Sequence, residues 1–163
     1  MANEVMMQSF EWDTDGSGDF YKKLSRDAKD LKNAGIDALW LPPACKGGGD
    51  NDVGYGIYDL WDLGEFDQKG TVRTKYGTKD ELIKAIEDLH QAGIKSYADI
   101  VLNHKGNADF KETFKAVMVD QNNREQDVSG ETEIEGWTGF DFKGRNNKYS
   151  DMVWHYYHFT GID

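Results

Sequence analysis

Leu31-Lys32-Asn33-Ala34-Gly35-Ile36-Asp37-Ala38-Leu39-Trp40-Leu41-Pro42-Pro43 and Leu89-His90-Gln91-Ala92-Gly93-Ile94-Lys95-Ser96-Tyr97-Ala98-Asp99-Ile100-Val101-Leu102-Asn103-His104 are two copies of one local grammar. In each, an apolar helical stripe closes at Ala-Gly-Ile and a short apolar strand follows. Upstream of the first copy, Phe20, Leu24, Ala28, Leu31 and Ala34 fall three and four apart. That spacing predicts an amphipathic helix starting at Asp19, taken as its N-cap, and closed by Gly35. Upstream of the second copy, Leu82, Ile83, Ile86 and Leu89 predict a helix that begins near Lys79 and ends at Gly93. The compact apolar stretch Val5 to Trp12 reads as a first strand, with Ile36–Leu41 and Ile94–Leu102 as the second and third. The order βαβαβ implies right-handed crossovers and a parallel sheet.

Parallel sheets present ligand-binding groups at the carboxyl ends of their strands, whether the sheet is a barrel or doubly wound. Here the second strand runs into Pro42-Pro43, which cannot extend a ladder, and then into a long loop, Ala44 to Thr78. Loops of that length are functional or disordered; the aromatic content of this one (Tyr55, Tyr58, Trp61) predicts order. The third strand runs into Asn103-His104. Beyond it the texture changes: residues 107–135 are polar, and residues 136–163 are dense in aromatic rings. Trp154-His155-Tyr156-Tyr157-His158-Phe159 has the bulk of a strand packed on both faces. The division expected is therefore residues 1–104, a parallel α/β part, and residues 105–163, a smaller β-rich unit inserted after the third strand.

A chain of 163 residues with 38% apolar and 13% aromatic content can bury a core. Its net charge of −11 argues against nucleic acid and against anionic membrane, while suiting a neutral polymer equally well. No apolar run approaches the roughly 18 residues of a membrane span. Met1-Ala2-Asn3-Glu4-Val5 shows neither a basic nor an apolar signal region, and Cys45 stands alone, so the cytoplasm is the expected location. A secreted protein whose signal peptide had been replaced by a start Met would read the same. Gly47-Gly48-Gly49-Asp50 lacks the Lys-Ser/Thr of a phosphate loop. The four histidines lack zinc spacing, and no G-x-S-x-G elbow occurs.

Asp99-Ile100-Val101-Leu102-Asn103-His104 resembles the first signature segment of the α-amylase family, at the end of its third barrel strand. With it stand Gln8-Ser9-Phe10-Glu11-Trp12, Trp40-Leu41-Pro42-Pro43-Ala44, Asp52-Val53-Gly54-Tyr55-Gly56-Ile57-Tyr58-Asp59-Leu60, Leu63-Gly64-Glu65-Phe66, the run from Gln68 to Gly77, and Tyr149-Ser150-Asp151. In this order the chain is similar along essentially its whole length to the liquefying bacterial α-amylases.

The resemblance implies an α/β fold, a (β/α)8 TIM barrel with a β-rich domain inserted after the third strand. Such a barrel takes about 250 residues before insertions, so this chain would supply three strands, two helices and the opening of the insert. It further implies endo-hydrolysis of internal α-1,4 bonds in starch and glycogen with retention, by an aspartate nucleophile, a glutamate acid/base and a stabilising aspartate. In the family all three lie on later strands, so no catalytic residue is assigned here and the isolated chain is expected to be inactive. Related readings are a maltooligosaccharide-forming enzyme of the same superfamily, or a noncatalytic glucan-binding fragment.

The binding residues that the resemblance implies are His104, hydrogen-bonding the sugar at the cleavage subsite, and Tyr55, stacking beneath the same sugar. Gln8 and Trp12 would face that cleft. Asp99 matches a position that supports the site by hydrogen bonding. Asn103 matches one ligand of a calcium ion, which needs six to eight oxygens. Thr160 departs from the pattern, since many secreted relatives carry there an aspartate for additional metals.

Overall fold

The computed structural model describes residues 3–163, which fall into two compact units. The first comprises Met1–Asn107 with Lys143–Ser150, the second Ala108–Phe142 with Asp151–Asp163.

The first unit is built on a parallel three-stranded sheet in the order β1 (Met6–Gln8), β2 (Ala38–Leu41), β3 (Lys95–Ala98). Its registers run Met6↔Ala38↔Lys95 through Gln8↔Trp40↔Tyr97. Helices α1 (Phe20–Asn33) and α2 (Lys79–Gln91) form the crossovers. One core joins them to the sheet: Tyr21, Leu24 and Ala28 of α1, Leu82, Ala85 and Leu89 of α2, and Leu39, Leu41, Tyr76 and Ile94. This is the expected βαβαβ arrangement, three strands of the barrel type.

Both helices stop by the same device, the physical content of the repeated Ala-Gly-Ile. The Gly35 and Gly93 N–H groups bond to Lys32 and His90 carbonyls, and the Ile36 and Ile94 N–H groups reach back to Leu31 and Leu89. The glycines sit at φ +92° and +80°, the left-handed cap that a Cβ disfavours. The Ile94 and Leu89 side chains, both buried, complete the contact. At its other end α2 has a full capping box, Thr78 accepting from the Glu81 N–H while Glu81 accepts from the Thr78 N–H.

Asp19 is the N-cap of α1 as expected, though without a side-chain cap bond; its carboxylate pairs with Lys22 at 2.9 Å. Two local expectations are corrected. Ile83 is 45% exposed and Ala85 occupies the core in its place. All three strands are shorter than read, β1 and β3 by five residues each, and Ile100 and Leu102 beyond β3 are exposed. Parallel sheets are normally covered on both faces; here one face carries the helices, while Met6, Trp40 and Tyr97 remain partly exposed.

The second unit holds an antiparallel pair, β4 (Phe110–Ala116) and β5 (Thr132–Gly139). Phe110, Glu112, Phe114 and Ala116 alternate as the less exposed side of β4, a period-2 signal hidden in what reads as polar sequence. The strand expected at Trp154–Phe159 does not form. Trp154 makes a single bridge to Phe140, and Tyr156–His158 is a 3-10 turn. Glu112 draws the segment out of strand geometry: one oxygen takes His155 Nδ1 at 2.7 Å, the other the Tyr156 N–H and the Thr138 hydroxyl, both at 2.8 Å. Burial opposes ionisation of Glu112, but these bonds prevail and its pKa is lowered. Tyr156 stacks on Phe114 at 4.8 Å, whereas Tyr157 is 65% exposed, so the segment is not packed on both faces.

Candidate functional site

The loop between β2 and α2 lacks regular structure, yet it contains Ile57, Tyr58 and Tyr76 as core residues and a set of fully buried charges. Lys46, with no exposed surface, donates to the carbonyls of Phe66, Thr71 and Val72 at 3.0, 2.7 and 2.6 Å and lies 3.4 Å from Asp62. Three acceptors require the three protons of an ammonium ion. Burial lowers the Lys46 pKa, and the carboxylates of Asp62, Asp67 and Asp59 act in the opposite sense. Asp62 also accepts the N–H groups of Gly64, Glu65 and Phe66. Gln68 bridges Asp59 and Asp62 at 2.9 Å each, and Asp59 pairs with Arg145 at 2.6 Å, both side chains 1% exposed. Thus Lys143–Ser150, beyond the sequence boundary at 104/105, packs with the first unit.

Within this frame Lys46 and Asp59 form a bridge that closes residues 46–59 into a small loop with Tyr55 inside it. The chain after β3 lies along that loop. The consecutive carbonyls of Tyr55, Gly56, Ile57 and Tyr58 accept from His104 Nε2 (2.8 Å), Asn107 Nδ2 (3.1 Å), Gly106 N–H (2.7 Å) and Lys105 Nζ (2.6 Å).

Tyr55, Asp99, His104 and Trp12 come together. The Tyr55 hydroxyl donates to Asp99 Oδ2 at 2.7 Å. Burial, with the Asp99 carboxylate beside it, pushes the Tyr55 pKa up to about 12, so the hydroxyl stays protonated and donating. The Trp12 ring lies parallel to that of Tyr55, 4° between planes and 6.4 Å between centroids; Trp12 is 70% exposed. Since a carbonyl oxygen only accepts, His104 Nε2 carries the proton it shares with Tyr55. Asn103 Nδ2 lies 3.4 Å from His104 Nδ1. His104 thus holds the Tyr55 backbone through its Nε2–H.

The Gln8 amide donates to the Phe10 carbonyl at 2.8 Å, and Gln8 lines a cleft of about 710 Å³ with Ser9, Phe10, Glu11, Phe20 and Lys23. Asn103 is exposed and offers one amide oxygen. Among the described residues no group of three or more His, Cys, Asp or Glu side chains is placed to hold a metal ion. Lys46, Asp59, Asp62 and Arg145 escape sequence reading, because charged residues ordinarily lie at the surface and nothing local marks these as interior. Tyr55, Asp99, His104 and Trp12 all follow the carboxyl ends of parallel strands, where ligand groups of such sheets gather.

Residues 5–161 match the family described as alpha amylase, catalytic domain. The chain is 55% identical over 162 residues to a glucan 1,4-alpha-maltohexaosidase of Bacillus sp. strain 707, covering 99% of this chain and 31% of that protein. It is 54% identical over 161 residues to an alpha-amylase of Bacillus licheniformis (99% and 31%) and 42% identical over 164 residues to a cytoplasmic alpha-amylase of Escherichia coli strain K12 (100% and 33%). Among solved structures, truncated alternansucrase from Leuconostoc mesenteroides superposes with a TM-score of 0.76 at 25% identity, over 90% of this chain and 14% of that one. The chain spans about a third of the length of the curated relatives it matches.

Proposed function

This chain belongs to the alpha-amylase catalytic-domain family, and from that premise we propose that it forms the sugar-positioning part of an endo-acting α-amylase that cleaves internal α-1,4 bonds of starch and glycogen with retention. The observation that carries the reading is the convergence of Tyr55, Asp99 and His104 at the carboxyl ends of the strands. An exposed Trp12 ring stands parallel to Tyr55 beside them. Flat aromatic faces suit the apolar faces of glucose units, and a fixed ring holds the bound sugar in reactive geometry. Asp99, engaged by the Tyr55 hydroxyl, orients that ring and is not a nucleophile in this scheme. The nucleophile and acid/base belong to strands outside this chain.

Calcium enters the proposal through Asn103, whose amide oxygen suits a hard cation but supplies one of six to eight ligands. Bound there, calcium would brace the segment that carries His104. The likeness to a cytoplasmic amylase supports a cytoplasmic location. Identities of 55% to a maltohexaosidase and 54% to an amylase do not separate a maltohexaose-forming enzyme from a general liquefying one. The product profile does: one dominant oligosaccharide marks the first, a broad mixture the second.

The test is proton NMR of maltoheptaose hydrolysis by the full-length protein. The α-anomer should form first, at internal bonds. First release of the β-anomer, or no hydrolysis of α-1,4 glucans, would overturn the proposal.

A further inference from the structure

We propose that Asp52 is a positioning residue, one that sets the Tyr55 ring by gathering the backbone on both sides of it. This rests on the reading of Tyr55 as a sugar platform. Asp52 Oδ1 accepts the N–H groups of Gly54 at 2.8 Å and Gly56 at 3.3 Å, the two residues flanking Tyr55. Its Oδ2 accepts the Gly48 N–H at 2.8 Å, tying in the opposite limb of the loop.

The surrounding glycines make room for this carboxylate. A Cβ on Gly47 would come within 2.4 Å of the Asp52 carboxyl carbon, and one on Gly56 within 2.5 Å of Oδ2. Gly54 has φ +95° and no space for a Cβ against the Pro43 carbonyl, 2.7 Å away. The Gly-rich run that fails as a phosphate loop is thus a socket for an internal anion.

Tyr55 is held from two sides. The carbonyls of residues 55–58 are bonded to residues 104–107, while the N–H groups of 54 and 56 converge on Asp52. Charge-assisted bonds of this kind are roughly twice as strong as neutral ones. Losing them frees the ring to shift even with the Asp99 bond available, and a displacement of about 1 Å can cost about 100-fold in rate.

The experiment is a double-mutant cycle in the full-length protein, reading kcat and KM on maltoheptaose for Asp52→Ala, Tyr55→Ala and the double variant. Asp52→Ala should lower kcat/KM by about 10- to 100-fold, chiefly through kcat. If Asp52 acts through Tyr55, the double variant should lie within about twofold of Tyr55→Ala. Losses that multiply across the two sites would show a general structural role and overturn the proposal, as would near-wild-type kinetics for Asp52→Ala. If Tyr55→Ala is itself near wild type, the sugar-platform reading fails and the proposal falls with it; impairment by Tyr55→Ala alone overturns only the role of Asp52. Should Asp52→Ala fail to fold, Asp52→Asn keeps the shape and one acceptor oxygen. It should lose about 3- to 10-fold, and no loss would again overturn the proposal.

Discussion

Arg145 and Asp59 are the residues whose burial is hardest to justify by themselves, since two charges leave water for one 2.6 Å contact. What makes the pair tolerable is saturation. Arg145 also donates to the Lys148 and Ser150 carbonyls at 2.7 and 2.6 Å, and Asp59 takes the Gln68 amide and the Trp61 N–H. Removing one member leaves the other charged and unmatched. Arg145→Ala should therefore lower local stability by about 3 to 5 kcal/mol, read as lost hydrogen-exchange protection at the amides of residues 59–72. Protection equal to wild type would mean that the pair contributes nothing. Tyr55 shows the opposite economy, with one hydroxyl bond, one parallel ring and one backbone clamp. The family resemblance singled out Tyr55, whereas nothing in the sequence singled out Arg145, because its partner lies 86 residues away.

At the scale of elements, the segment Lys143–Ser150 is fastened by a second, more exposed cluster. Glu65 accepts from Lys148, from Lys79 at 2.7 Å and from the Tyr149 hydroxyl at 2.8 Å. Lys148, then Lys79, hold its pKa down to about 2. A depressed carboxylate stabilises the fold above its unfolded pKa, near 4.5, and loses that contribution as pH falls toward 2. Amides of residues 143–150 should thus lose protection selectively between pH 4.5 and 2, and Glu65→Gln should show the same loss already at pH 7. A pH-independent pattern would refute this fastening. Helices and strand order were legible because period 3.6, Ala-Gly-Ile and Pro-Pro are local signals. The β4–β5 pair was missed because lysines and glutamates on its exposed side swamp the alternation of Phe110, Glu112, Phe114 and Ala116. Trp154–Phe159 was misread because aromatic bulk suggests a strand, while Glu112 imposes a turn through hydrogen bonds that no periodicity displays.

For the molecule as a whole, a parallel three-stranded sheet covered by helices on one face leads at its strand ends into Trp12, Tyr55, Asp99 and His104, the surface we propose holds the sugar. The parallel sheet was readable from the strand grammar. The clamp of residues 104–107 on 55–58 and the Asp52 socket were not, since both depend on backbone groups that carry no sequence identity. The direct test is a crystal structure of the full-length protein with bound maltotetraose. A glucose unit should lie flat against the Tyr55 ring beside Trp12, with the Tyr55–Asp99 and His104–Tyr55 hydrogen bonds intact. Sugar bound elsewhere, with the Tyr55 ring bare, would contradict the account.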